Sequence, residues 1–274
     1  MKTQVAEPNM RPTISLTTDF GLKDPYVAEM KAVILRISPN ANIIDITHDI
    51  DKFAVRTAAY ALACAAPFFP MGTVHVVAVD PGVGTRRWPI LVQTQKAFYV
   101  GPDNGVATLA AGNEGIEHIF RITNRRFMLS TISNTFHGRD IFAPVAAHLT
   151  RGTQPTELGS ETEKILTPKF ARVAKKKNML ISEVLHIDSF GNIITNIREE
   201  ELHSLSIEET VNVKIKNHTL RMKLGKAYAD VKKGEPVALF GSHGFLEISV
   251  NQDSGAATFK VKTADRITLF RASR

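Results

Sequence analysis

Between Thr73 and Val79 the chain reads Thr-Val-His-Val-Val-Ala-Val, a nearly continuous apolar run. A run this short and this rich in β-branched residues, without polar alternation, suits a strand buried on both faces, as parallel strands covered by helices are. Parallel strands need crossover connections, and the flanking sequence supplies them. Thr13 to Thr17 is a β-branched run; helical spacing then runs from Pro25 through Val27, Met30, Ile34 and Ile37 and stops at Pro39. A strand is expected at Asn42 to Ile46 and a helix at Ala54 to Ala65. Downstream the pattern predicts strands at Ile90 to Thr94 and Ala97 to Val100, a helix at Asn104 to Ala111, a strand near His118 to Ile122, and a helix from Arg139 to about Thr150. Pro144 belongs in the first two turns of that last helix, or kinks it.

Beyond residue 178 the texture changes. Short β-like segments at 180–187, 193–197, 211–215, 236–240, 245–250, 257–261 and 267–270 are separated by turn residues such as Gly191-Asn192, Lys216-Asn217, Gly241 and Gly255. This predicts a small antiparallel sandwich or barrel, with one helical stretch at Glu199 to Leu205. The expected organisation is an α/β domain over 13–165 and a smaller β domain over 179–274.

The connector between them holds most of the charge. The net charge is +7, and Lys164, Lys169, Arg172, Lys175, Lys176 and Lys177 follow one another with no acidic residue between. Such a run is most often a solvated connector. It lacks the interleaved aromatics that stacking on bases requires, so no nucleic-acid partner is expected. No apolar stretch approaches the roughly 20 residues of a membrane span; Ala58 to Met71 is interrupted by Pro67 and Pro70. Met1 to Thr13 has no apolar core of a secretory signal. One cysteine, Cys64, permits neither an intrachain disulfide nor a cysteine metal cage. These readings together predict a cytoplasmic protein of enzyme size.

In an open α/β sheet, ligands lie beyond the carboxyl ends of the strands. Asp19, Asp45 and Asp80 all fall at such ends, Asp80 being followed by Pro-Gly-Val-Gly-Thr-Arg86-Arg87. Each alone reads as a turn or cap residue; three on one edge point to a site. His137, within Phe-His-Gly-Arg-Asp at a predicted helix start, adds a group whose ordinary pKa suits acid–base work near neutrality. In the second domain, Asp188-Ser-Phe-Gly-Asn192 and Gly241-Ser-His-Gly-Phe-Leu-Glu247 combine glycine turns with hydrogen-bonding side chains, though each alone is a hairpin loop. The G-x-G-x-x-G, P-loop, G-x-S-x-G and H-E-x-x-H patterns are absent.

Six motifs, in order, carry a resemblance. They are Thr18-Asp-Phe-Gly21 with Asp24, Val79-Asp-Pro-Gly-Val-Gly-Thr85, Gly101-Pro-Asp-Asn-Gly105, Phe136-His-Gly-Arg-Asp140, Asp188-Ser-Phe-Gly-Asn-Ile-Ile-Thr-Asn196 and Ser242-His-Gly-Phe-Leu-Glu247. Over about residues 13–271 the chain resembles the S-adenosyl-L-methionine (SAM) hydroxide adenosyltransferases, or SAM hydrolases, which are related to the SAM-dependent fluorinase and chlorinase. The resemblance implies an N-terminal α/β domain with a mainly parallel sheet and a C-terminal antiparallel β-barrel. It also implies hydrolysis of SAM to adenosine and L-methionine, and a homotrimer with its site between subunits. SAM is then substrate, and neither cofactor nor metal is implied. The family's catalytic set corresponds to Asp80, Arg87 and His137. Its substrate contacts correspond to Asp19 on the ribose, to Asp188, Asn192 and Ser242 around the amino acid or adenine, and to Phe53 and Tyr228 beside adenine; Glu247 joins them as the end of the last motif.

Three other readings compete. A halide nucleophile would make the chain a halogenase, but the halogenases carry serine where this chain has Gly138 and tyrosine where it has Asp80. A metal-dependent hydrolase would use Asp19, Asp45, His48, Asp49 and Asp80. A sensor of SAM or adenosine would need the pocket without turnover.

Overall fold

The computed structural model describes residues 11–271. The start of the chain, read above as lacking a signal sequence, lies mostly outside the described residues. The chain divides after Thr167 into two units.

The first unit is built on a six-stranded sheet of β1 (Thr13–Thr18), β2 (Asn42–Thr47), β3 (Val74–Ala78), β4 (Pro89–Thr94), β5 (Phe98–Pro102) and β6 (Ile116–Arg121). Their order is β2-β1-β3-β5-β4-β6. The pairs β2–β1, β1–β3 and β3–β5 are parallel, while β4 runs against both neighbours. The apolar run of residues 73–79 is the middle of this sheet, and every residue of β3 is buried. Helices α1 (Tyr26–Ile37), α2 (Val55–Ala65), α3 (Thr108–Glu114) and α4 (Ala143–Leu149) complete the unit. Met30 and Ile34 of α1 pack with Ile14, Leu16, Val76, Phe142 and Val145 in one apolar core.

Two details differ from the pattern. α3 starts at Thr108 rather than Asn104, because Asn104 caps the preceding turn: its Oδ1 accepts the Val106 amide at 3.1 Å and its Nδ2 donates to the Val79 carbonyl at 2.9 Å. The helix predicted from Arg139 opens instead as a π-helical turn, Gly138–Phe142, that runs into α4. Pro144 sits in the first turn of α4, and the Asp140 carbonyl four residues before it accepts the Leu129 amide in place of the N–H that proline lacks.

The second unit holds β7 (Ala174–Lys176), β8 (Met179–Ile187), β9 (Ile193–Thr195), β10 (Thr210–Ile215), β11 (His218–Gly225), β12 (Pro236–Phe240), β13 (Leu246–Val250) and β14 (Arg266–Arg271), with short helices α5 (Glu199–His203) and α6 (Gly255–Phe259). Pairing of β14 with β8 closes β14-β10-β11-β12-β13-β9-β8 into a seven-stranded barrel, and β7 lies outside it on β8. The barrel is antiparallel except where β11 meets β12. Val184, Val211, Val213, Ile248, Ile267 and Leu269 fill its interior.

The strand expected at 257–261 is α6. Ser254 caps it, accepting the Ala257 amide at 3.1 Å, and Lys260 ends it in a left-handed conformation. β11 was not anticipated as a strand.

Candidate active site

Three side chains meet past the carboxyl end of β3. Arg87 Nε donates to both carboxylate oxygens of Asp80, at 3.1 and 2.9 Å, and its Nη2 donates to Asp80 Oδ2 as well. The same Nη2 donates to His137 Nδ1 at 2.7 Å. Both charged side chains are 9% exposed, so the pair is little screened by solvent. Guanidinium is only a donor, which assigns the imidazole: Nδ1 accepts, so His137 is neutral and carries its proton on Nε2. Its pKa is correspondingly held below the usual value, first by burial and then by the positive charge of Arg87, against the opposing pull of Asp80 and Asp140.

Local folding explains how these residues come together. Residues 80–87 form a tight loop in which Gly82 N donates to Asp80 Oδ1 at 3.1 Å. Gly84 has φ +74°, and a Cβ there would stand 2.4 Å from the Asn134 carbonyl oxygen. The loop after β3 therefore touches the loop before His137 only because that residue is glycine. On the other side Gly138 is buried against Ala78 and Met30, where a Cβ would find 3.2 and 3.3 Å contacts. The π-helical turn that follows shifts the helix register beside the site, a distortion met mostly at functional positions.

Asp80 and His137 line a cavity of about 30 Å³ together with Phe20, Phe136 and Phe142. That is room for one or two water molecules. Phe20, Tyr26 and Phe136 pack edge to face, with centroids 5.3–5.7 Å apart, beside it.

Asp19 also lies at this edge, 5% exposed. Its Oδ2 accepts the Phe53 amide at 2.8 Å, and Lys52 Nζ donates to its carbonyl. Phe53 itself has φ +66° and is 66% exposed. Asp45 turns elsewhere, to Lys31 at 2.6 Å and His48 at 3.1 Å, and His48 Nδ1 joins Thr18 Oγ1 at 2.8 Å. Among the described residues no three His, Cys, Asp or Glu side chains gather as metal ligands. The residues of the metal-hydrolase reading are thus not assembled into one ligand set.

In the second unit Asp188 organises its loop, Oδ1 accepting the amides of Phe190 (3.0 Å) and Asn192 (2.8 Å) and Oδ2 accepting Asn192 Nδ2 (2.8 Å). Tyr228 donates its hydroxyl to Glu247 at 2.8 Å. Burial pushes the Glu247 carboxyl up, the Tyr228 hydrogen bond opposes that, and the negative charge of Asp188 adds to it. Asp188, Tyr228 and Glu247 are therefore close enough to sense one another, while Ser242 is exposed on the neighbouring loop. Phe53 stands beside Asp19 in the first unit, and Tyr228 beside Glu247 in the second.

The sequence motifs contain Phe20, Phe136, Arg139 and Asp140 but assign them no role. Phe20 and Phe136 each stand next to a motif residue, Asp19 and His137, so adjacency was the available signal.

The matching families decide the identity. The SAM hydroxide adenosyltransferase N-terminal domain family matches residues 14–159, and its C-terminal domain family matches residues 182–268. The chain belongs to the SAM hydroxide adenosyltransferase family. A relative from Methanocaldococcus jannaschii named (R)-S-adenosyl-L-methionine hydrolase is 37% identical over 93% of this chain and 95% of its own length. A fluorinase from an Actinoplanes species is 25% identical over 96% of this chain and 99% of its own length. A Thermotoga maritima crystal structure, of a protein described as uncharacterized and conserved, superposes with a TM-score of 0.84 at 41% identity, covering 94% of this chain and all of the other. Within this SAM hydroxide adenosyltransferase fold, the first unit carries Asp80, Arg87 and His137, and the second carries Asp188, Asn192, Tyr228, Ser242 and Glu247.

Proposed function

We propose that this chain hydrolyses SAM by attack of water at the ribose 5′ carbon, releasing adenosine and L-methionine, and that Asp80, Arg87 and His137 carry the chemistry. The observation that bears most weight is Arg87 bridging Asp80 and His137 beside a cavity of water size. Methionine departs as a neutral thioether, so its departure needs no general acid. The demand falls on water, whose pKa is about 15.7 in bulk.

The hydrogen bonds support a division of roles. With Nδ1 accepting from Arg87 and Nε2 already protonated, His137 orients the water, and Asp80 is the group that takes its proton. A positioned base of this kind contributes roughly 10²–10⁴-fold. Holding the water in line with the carbon–sulfur bond supplies much of the remainder. Halide is disfavoured in the same cavity, since Asp80 repels an anion and Gly138 offers no hydroxyl donor. Asp19 and Phe53 hold the nucleoside, Asp19 by its carboxylate on the ribose hydroxyls. Asp188, Asn192, Tyr228, Ser242 and Glu247 supply the amino-acid and adenine contacts.

The reading includes a cytoplasmic homotrimer in which two chains share each site and no cofactor is required. Residues assigned to catalysis all precede residue 140, and most residues assigned to substrate lie past residue 187, which supports sharing. Incubation with SAM after exhaustive chelation, with adenosine and methionine resolved by chromatography, tests the function. No adenosine from SAM would refute it.

A further inference from the structure

We propose that Asp140 is a positioning residue that holds the 129–136 loop over the turn bearing His137, keeping the cavity beside Asp80 at the size of a water. The inference deepens the preceding section and rests on its assignment of Asp80, Arg87 and His137.

Asp140 is wholly buried. An ionised carboxylate in such a place must be paired and fully hydrogen-bonded. Its Oδ1 accepts Arg139 Nε at 2.7 Å, and its Oδ2 accepts the Ser133 amide at 2.8 Å and Arg139 Nη2 at 3.3 Å. Its own carbonyl accepts the Leu129 amide at 2.9 Å. One residue of the π-helical turn thus ties the loop at both its beginning and its middle. Arg139 extends the hold: Nη1 donates to Glu29 of α1 at 2.7 Å, and the guanidinium lies over the Phe136 ring, 4.8 Å from its centroid.

The loop so held ends in Thr135 and Phe136, which line the cavity with Asp80 and His137. A buried Asp–Arg pair is ordinarily a packing device. This one is bonded to the covering loop on one side and lies one turn from the imidazole on the other. The charged groups that bear on His137 are Arg87, Asp80 and Asp140. Asp140 therefore acts on the site by shape and by field, without touching the reacting atoms.

Asp140→Asn keeps the side chain's size and one acceptor but removes its charge. The expected outcome is a kcat, per adenosine-binding site, lower by about 10- to 100-fold, with KM changed by less than about threefold. The acid limb of the kcat profile should move to lower pH, since a charge favouring protonated His137 is gone, and the Ser133 amide should exchange faster with deuterium. A purely structural role would lower the amount of folded protein while leaving kcat per site, the limb and Ser133 exchange at wild-type values, and that result overturns the proposal. Should Asp140→Asn fail to fold, Arg139→Lys keeps the charge and loses the fork; faster Ser133 exchange and a kcat lower by about threefold or more are then expected, and wild-type values overturn the proposal. Ser133 exchange and His137 titration by NMR require no turnover. A wild-type chain inert toward SAM would thus sink the functional assignment and leave the clamp to be judged separately.

Discussion

At the scale of single residues, the proposed roles separate chemistry from binding. Asp80→Ala removes the proton acceptor, and turnover should fall by about 10²–10⁴-fold while adenosine still binds; unchanged turnover in a steady-state assay would refute the role. Asp19→Ala should instead raise the dissociation constant for adenosine by about tenfold or more, because a buried charged acceptor for ribose hydroxyls is lost, and calorimetry reads this directly. His75 lies on the same strand that leads to Asp80 but is sealed in, 0% exposed, with Nδ1 on Ser15 Oγ at 2.6 Å. Burial lowers its pKa to about 4. A histidine whose folded pKa is depressed binds its proton first in the unfolded chain, so stability is full above about pH 6.5 and is lost as pH falls toward 4. The loss amounts to about 3 kcal/mol, and His75→Gln should flatten that part of the unfolding free energy measured against pH. The site residues legible in the sequence were those in turn motifs, where a side chain and its glycine sit side by side. Asp140 and Phe136 stood in a motif, but the parts proposed for them were hidden because these depend on partners such as Glu29 and Phe20, which no local pattern connects to them.

Elements were legible where one physical cause dominated. The 73–79 run is buried on both sides and could only be a central strand, and α1 announces itself by the spacing of Val27, Met30 and Ile34. β11 was missed although Leu220, Met222 and Leu224 alternate, because the intervening Arg221 and Lys223 and the Met and Leu themselves also suit a helix; pairing with β10 and β12 settles it. At 257–261 the Ser254 cap outweighed the apolar run, and at 104–107 an asparagine turn displaced the start of α3. Loop-to-loop contact is the element-level feature on which the site most depends. Gly84→Ala would place a methyl group against the Asn134 carbonyl in a backbone region that alanine avoids. A loss of about 1–3 kcal/mol in unfolding free energy is expected, together with a lower kcat as Arg87 is drawn away from His137. Wild-type stability in denaturant titrations would contradict this.

For the whole molecule, composition and texture were enough to read a division into an α/β part and a β part but left sandwich and barrel open; the resemblance implied the barrel, whose closure depends on β14 finding β8 across 89 residues of sequence from Leu269 back to Leu180, among others. Reaction in ¹⁸O-water should place the label on the adenosine 5′ oxygen; unlabelled adenosine would exclude direct attack by water. Sharing of sites predicts that Asp80→Ala subunits, unfolded and reassembled with Asn192→Ala/Ser242→Ala subunits, recover part of the activity. No recovery in oligomers shown by mass to be mixed would argue for sites within single chains.

β7 gives the basic segment a use that its charge alone does not suggest. A barrel closed through β14 and β8 has few free backbone groups, yet β9 pairs only with the later part of β8, and β7 covers the earlier part with its own outer edge open to solvent. An open edge invites another chain's strand, and lysine is the residue that most effectively discourages such growth. Lys175 and Lys176 lie on that edge and Lys177 at its turn. Positive charge along that edge works against sheet-to-sheet growth there.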